Sequence, residues 1–335
     1  MQIMTLIDPI FSALAGFIQK FATAILAMLV GTGSFMAPPT DDPIKAVNPD
    51  EVQLTFNVSG DSQVNGFTYN RVYLDLMLQD INNAETEQDA FVVVGDITEN
   101  SLPEEWDDIK TNLLKYDFGD DLIFATGNHD IRLRNYKNSL KSFAQLNNSL
   151  NGDNAVDSYY FSQRVNGYKV IVLGSDKTEM EQFYLGDAQL EWLDDEVKAE
   201  NGKPTIVVLH HTLKDTHNEK NAFGSITGAG GSVGDQSIVI KKILSKYKNV
   251  FLITGHLHSG FGPDSYNNVD GIHSINVPSM TIENKDGTYN DAGTGYIMEI
   301  YKTKVIFRAR DFAKGTWVAE TTGDSSYDIT IKIEK

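Results

Sequence analysis

Residues 122–130 read LIFATGNHD: an apolar run, a Thr-Gly turn, then an amide, an imidazole and a carboxylate in succession. A short apolar run that stops at turn residues has the pattern of a strand buried on both faces. The polar residues therefore stand just past the strand's C-terminal end. The same pattern recurs on either side of it. Leu54–Val58 runs into SGDSQ, Phe91–Val94 into GDITE, Thr205–Leu209 into HHT and Val250–Ile253 into TGHLH. Between several of these runs, Tyr69–Ile81 and Gln189–Ala199 space their apolar residues as amphipathic helices do. Tyr159–Val165 and Lys169–Leu173, parted by Asn166-Gly167, predict a hairpin. After His258 the pattern turns to strands at Ile272–Val277, Gly295–Tyr301, Lys304–Ala309 and Tyr327–Ile333. The expected fold class is an α/β sandwich of mixed sheets with a β-rich C-terminal third.

Each of the five central runs delivers metal-capable side chains at its exit: Asp61; Asp96; Asn128 and His129; His210 and His211; His256 and His258. In α/β sheets, ligand sites form at that edge. A lone Gly-Asp after a strand is ordinarily only a turn, and a lone buried histidine is ordinarily structural. The conjunction is what carries meaning, because five of the seven histidines sit at strand exits. His256 and His258 are one residue apart, so extended backbone would place both imidazoles on one face. Carboxylate, amide and imidazole together suit Mn, Fe or Zn rather than Ca. Gly60, Gly95, Gly127 and Gly255 each precede a candidate ligand, where glycine permits a tight turn.

GDSQ, GDITE, GNHD, HHT and GHLH occur in the order and spacing of the calcineurin-like metallophosphoesterase superfamily, which the chain resembles from Leu54 to about Ala309. The resemblance implies a four-layer α/β/β/α sandwich and a dinuclear metal centre that hydrolyses phosphoesters, as a phosphatase or phosphodiesterase, through a metal-bridging hydroxide. By position, it implies that Asp96 bridges the ions, that Asp61, Gln63 and His258 hold the first, and that Asn128, His210 and His256 hold the second. Two divalent or trivalent ions are expected. His129 would be the general acid, oriented by Asp130. Gln63 departs from the common histidine and is a neutral, weaker donor. His211 would stand behind the ligands, or touch substrate with Arg132 and Arg134, whose guanidinium groups suit phosphate. Purple acid phosphatases place tyrosine where Glu99 stands, so no tyrosinate-to-iron absorption is expected. The competing reading is a non-catalytic, membrane-tethered binding protein that keeps the fold.

Over 335 residues the net charge is −18, which repels nucleic-acid backbones and excludes a nucleic-acid-binding surface. Without cysteine there is neither a disulfide nor a thiolate ligand. Residues 1–40, apolar and nearly uncharged, are expected to be an export or membrane-anchoring segment, which would place the protein outside the cytoplasm or associate it with a membrane. Residues 41–52 read as a linker and 53–335 as the catalytic domain. The polar, glycine-rich stretch Leu213–Gln236 is a candidate lid whose His217 would reach the site.

Overall fold

The computed structural model describes residues 42–335 apart from 66–67, 117, 120, 133, 152–153, 179–181, 223–230 and 282–283. Leu54–Ser59 (β1), Ala90–Val94 (β2) and Asp121–Ala125 (β3) pair in parallel. Thr68–Asn82 (α1) and Pro103–Leu113 (α2) connect them. After Asn128–Ile131 (α3) and Tyr136–Leu150 (α4), the hairpin Phe161–Val165 (β4) and Tyr168–Val172 (β5) begins a second sheet. Asp187–Ala199 (α5) leads to Thr205–Val208 (β6), then Glu219–Ala222 (α6) and Ser237–Leu244 (α7) lead to Val250–Thr254 (β7). Tyr266–Val269 (β8) and Ile272–Asn276 (β9) complete that sheet in the order β4-β5-β6-β7-β9-β8. The chain then returns to the first sheet through Thr294–Ile300 (β10), Lys304–Asp311 (β11), Thr316–Trp317 (β12), Val318–Thr322 (α8) and Ile329–Lys332 (β13). That sheet has the order β12-β11-β10-β1-β2-β3, with β13 also paired to β11.

Side-chain alternation along the strands creates the layers. Ala90, Val92 and Val94 of β2 meet Phe251 and Ile253 of β7 in one buried cluster between the sheets. The alternate residues Phe91 and Val93 pack on Leu74, Met77, Ile109 and Phe143 of α1, α2 and α4. On the far side, Val207 and Leu252 pack on Leu193 of α5 and Ile240 of α7. The fold is thus the expected α/β/β/α sandwich. Continuous apolar runs, rather than alternating ones, follow from strands covered on both faces.

Part of the expected linker is packed on the domain. Ile44 is fully buried in the cluster beneath α1, and its carbonyl accepts from Glu85 N at 2.9 Å. Arg310, also fully buried, donates from Nε and Nη2 to Asp80 at 2.8 Å and from Nη2 to Asp42 O at 2.9 Å. The prolines and aspartates of this stretch hide one well-filled apolar position from a compositional reading. The segment 1–40 lies outside the described residues. Among the described residues, no helix is long and apolar enough to cross a membrane.

Candidate metal centre

The parallel pairing of β1 with β2 continues beyond both strands. Asp61 N donates to Gly95 O at 3.0 Å, Gln63 N to Asp96 O at 2.8 Å and Val64 N to Ile97 O at 3.0 Å. Asp61, Gln63 and Asp96 are thereby set side by side, all buried. The second sheet is joined on by His210, whose Nδ1–H donates across the gap to Val94 O at 2.7 Å. That bond fixes the tautomer and aims Nε2 at the carboxylates, 3.2 Å from Asp96 Oδ2 and 4.0 Å from Asp61 Oδ1. His258 Nε2 stands 3.2 Å from Asp61 Oδ1, and His256 N donates to Asp61 Oδ2 at 3.1 Å. Asn128 is buried at the start of α3, and the next residue's amide, His129 N, donates to Asp96 Oδ1 at 2.9 Å. Strand exits from both sheets thus converge on one cluster. Asp61, Asp96 and His210 place one ligand atom each within 4.8 Å of one another.

Asp61 Oδ1, Gln63 Oε1 and His210 Nε2 are buried yet make no hydrogen bond within the protein. The 3.2 Å approach of His210 to Asp96 is a close contact without hydrogen-bond alignment. Buried polar atoms left in this state are costly, and cations held in the cluster would satisfy them. The donor set therefore fits a metal centre of the carboxylate, amide and imidazole kind. Asp61, Gln63, Asp96, His256 and His258 also hold left-handed backbone, with φ of 55°, 38°, 48°, 70° and 50°. Non-glycine residues adopt this conformation at a cost, and such strain gathers at functional sites.

The glycines before the ligands serve two purposes, only one of which was expected. Gly95, at φ 95°, does make the tight turn. At Gly127 and Gly255 the need is for space, because an added Cβ would stand 2.0 Å from Asp96 Oδ1 and 2.7 Å from Asp61 Oδ2 respectively.

His129 is partly exposed and adjoins the cluster, with Nε2 3.9 Å from Asp96 Oδ2 and 3.3 Å from Gln63 Nε2. Its Nδ1 lies 2.9 Å from Glu99 O and 3.2 Å from Glu99 Oε1. Burial disfavours the imidazolium, but Asp96 and Glu99 outweigh it and push the pKa up to about 9. Arg132 Nη2 is 2.7 Å from the same Nδ1. A guanidinium only donates, so that contact needs Nδ1 without its proton, whereas the Glu99 contacts need Nδ1–H.

Asp130 does not orient His129 as expected. Its Oδ2 accepts from Gly127 N at 2.9 Å and Ile97 N at 3.2 Å, and its Oδ1 accepts from Thr98 N and Oγ1 at 2.8 Å each. It ties the β2 exit to the β3 exit, and Glu99 is the carboxylate on His129. Arg132 also approaches Glu99 Oε1 at 3.4 Å, whereas Arg134 donates to Asn100 O at 2.9 Å.

His211 is buried between Phe183 and His256. His217 does not reach the cluster. Its Nδ1 pairs with Asp264 O at 2.6 Å and its Nε2 with Ser274 Oγ at 2.8 Å, and burial lowers its pKa to about 4. Both nitrogens are used in pinning the loop after β6 to the β8–β9 hairpin. The middle of the expected lid, 223–230, lies outside the described residues. Its two ends are joined by Val233 N donating to Thr212 O at 2.9 Å.

The residues least legible in the sequence lie after β9. Ser279 Oγ and Thr281 Oγ1 donate to Asp61 O at 3.2 and 3.1 Å, and Met280 N donates to Gly60 O at 3.0 Å. This stretch fastens the Asp61 loop from the side of the second sheet. Apart from the Val-Pro-Ser of residues 277–279, no local pattern marks it.

Comparison with known proteins agrees with this fold. Residues 54–260 match the family model described as Calcineurin-like phosphoesterase. A 3′,5′-cyclic-nucleotide phosphodiesterase of Nostoc sp. is 22% identical over 238 residues, covering 71% of this chain and 78% of that protein. A dimetal phosphatase from Danio rerio superposes with a TM-score of 0.53 at 13% identity, covering 85% of this chain and 100% of that one. GAP50, the anchor in the inner membrane complex of Plasmodium, superposes at 0.54 with 14% identity, covering 84% of this chain and 89% of that one.

Proposed function

The chain belongs to the calcineurin-like phosphoesterase family, and on that premise we propose that it hydrolyses phosphoesters with two metal ions bound at the strand-end cluster. The observation that carries the proposal is that Asp61 Oδ1, Gln63 Oε1 and His210 Nε2, borne by adjoining strand exits, are buried without hydrogen bonds. Asp61, Gln63 and His258 would hold one ion, Asn128, His210 and His256 the other, and Asp96 both. Ions in such a site supply Lewis-acid polarisation of the phosphoryl group and an activated water.

The chain's own residues do the rest. His129, protonated and with Nδ1–H held by Glu99, presents Nε2–H to the leaving oxygen as general acid. Arg132, beside His129 and Glu99, would bind a phosphoryl oxygen when the protonated ring turns its guanidinium away. Asp130 keeps the loops carrying Asp96 and His129 in register. Phosphodiesters are the first substrates to examine, since the curated relative is a cyclic-nucleotide phosphodiesterase.

Protein loaded with Mn, Fe or Zn should hydrolyse bis-p-nitrophenyl phosphate, p-nitrophenyl phosphate or 3′,5′-cyclic AMP, and chelation should abolish turnover. Gln63, the weaker donor, is the one residue favouring a binding protein without catalysis. Full metal occupancy with no turnover on any of the three substrates would establish that reading instead.

A further inference from the structure

Phe183, His211 and His256 form a stack of three buried rings. The Phe183 and His211 centroids are 5.0 Å apart with planes at 36°, and those of His211 and His256 are 3.7 Å apart at 26°. His210 crosses His256 at 65°, 5.0 Å away. The nitrogens of His210, His211 and His256 lie close enough for a three-histidine metal site, so the ring planes must decide between ligand and support. An imidazole lone pair lies in the ring plane, and the ion sits about 2.1 Å beyond the nitrogen, roughly 3 Å from the ring centre. Two rings sharing an ion must have planes that meet near that point. Rings whose centroids are 3.7 Å apart and whose planes are inclined by only 26° lie face to face, so their planes do not meet that close to either ring. His210, with its centroid 5.0 Å from that of His256 and its plane turned by 65°, is not face to face with it. Face-to-face stacking therefore keeps His211 and His256 from sharing an ion without unstacking, a constraint that the crossed rings of His210 and His256 do not face.

We propose that His211 is a positioning residue: sandwiched between Phe183 and His256, it fixes the plane of the His256 imidazole through its ring and not through its nitrogens. The inference rests on the reading of His256 as a metal ligand. His256 needs such support because its backbone is left-handed, with φ of 70°, and Gly255 precedes it. A flat ring on one face, itself backed by Phe183, restricts rotation of the imidazole about its side-chain bonds. Groups that orient ligands in this way are commonly worth 10- to 100-fold in metal affinity.

The test measures bound Mn per chain after dialysis, and Mn affinity by titration, for the full chain and four variants. His256→Ala should lose one of two equivalents. His211→Phe, which keeps a ring and removes the nitrogens, should bind within about threefold of the unsubstituted protein. His211→Asn, which keeps a polar nitrogen and removes the ring, should weaken one equivalent by about tenfold or more. Phe183→Leu, which touches no polar atom, should weaken the same equivalent and shows the effect even if a His211 variant fails to fold. The proposal is overturned if His211→Asn binds normally while His211→Phe does not, or if Phe183→Leu binds like the unsubstituted protein. If His256→Ala retains both equivalents, the ligand reading fails and the proposal fails with it. Failure of the His211 and Phe183 predictions alone leaves that reading standing.

Discussion

Gly127→Ala isolates the geometric demand of the site from its chemistry, because it adds one methyl group and removes no polar atom. Gly127 has an ordinary φ of −102°, so alanine meets no backbone penalty there. The methyl would instead stand 2.0 Å from Asp96 Oδ1, 2.5 Å from Asp96 N and 2.7 Å from Asp96 Cγ. Ordinary contact begins near 3.4 Å, so the carboxylate oxygen must retreat by about 1.4 Å. A rotamer change cannot relieve the contact with Asp96 N, which belongs to the backbone. The β2 and β3 exits must therefore part, against the Val94–Ala125 register and the His129 N to Asp96 Oδ1 bond. Overpacking of this kind costs about 1–3 kcal/mol, and displacing a reacting group by ~1 Å costs roughly 100-fold in rate. The variant should fold, unfold at a lower temperature, lose metal and drop at least about 100-fold in kcat/KM. Gly167→Ala is the control. Gly167 sits in the β4–β5 turn at φ 83° with nothing within 4 Å of an added Cβ, so it should lose about 1 kcal/mol from backbone strain and keep both metal and turnover. Elemental analysis, thermal unfolding and steady-state kinetics on the two variants decide the matter. A Gly127→Ala protein that retains both ions and turns over within tenfold of the unsubstituted enzyme would refute the reasoning.

Glu99→Gln keeps an acceptor near His129 Nδ1 but removes the charge that helps to raise the His129 pKa. Metal content should be unchanged, kcat should fall by about tenfold, and the alkaline limb of the pH–rate profile should move to lower pH; an unmoved limb would show that Glu99 does not act on His129. In metal-free protein, His129 and His210 are both pushed up to about 9, Asp96 being the largest cause that raises each. Their stabilising contribution is complete below the unfolded value near 6.5 and is lost as pH rises towards 9. The melting temperature of the metal-free protein should therefore fall between pH 6.5 and 9, and loading metal, which neutralises Asp96 without protons, should flatten that decline. Parallel melting curves for the two forms across this range would contradict the assignment.

The strands were legible because burial on both faces leaves apolar runs with abrupt polar ends, as in Val250–Ile253 before TGHLH. The clustering of the candidate ligands was legible because the parallel strands deliver their exits to one edge, so a short stretch of sequence maps onto one place in space. What escaped was whatever depends on contact between distant segments. The carboxylate behind His129 is Glu99 from the β2 exit and not its own neighbour Asp130, because α3 turns the Asp130 side chain back onto Thr98 and Gly127. The burial of Ile44 depends on a groove beneath α1 that does not exist until the domain has folded. His217, suspected from its loop, is held by Asp264 and Ser274, residues more than forty positions away.

Two costs meet at Asp61 and Gln63, and together they say more than either alone. Asp61, Gln63, Asp96, His256 and His258 hold left-handed backbone, each at a cost of about 1–2 kcal/mol. Buried Asp61 Oδ1 and Gln63 Oε1 stand without hydrogen bonds, each at about 1–3 kcal/mol. A structural core would bury carbon in place of these oxygens. The surrounding fold is arranged to bear the cost. Asp130 clamps two exits, Ser279 and Thr281 fasten the Asp61 loop, and glycines clear the space into which the side chains of Asp96 and Asp61 project. Cation binding offsets the unmet polar atoms directly but leaves the backbone strain in place. The strain therefore measures how far the chain itself, before any ion arrives, already holds its ligands in position.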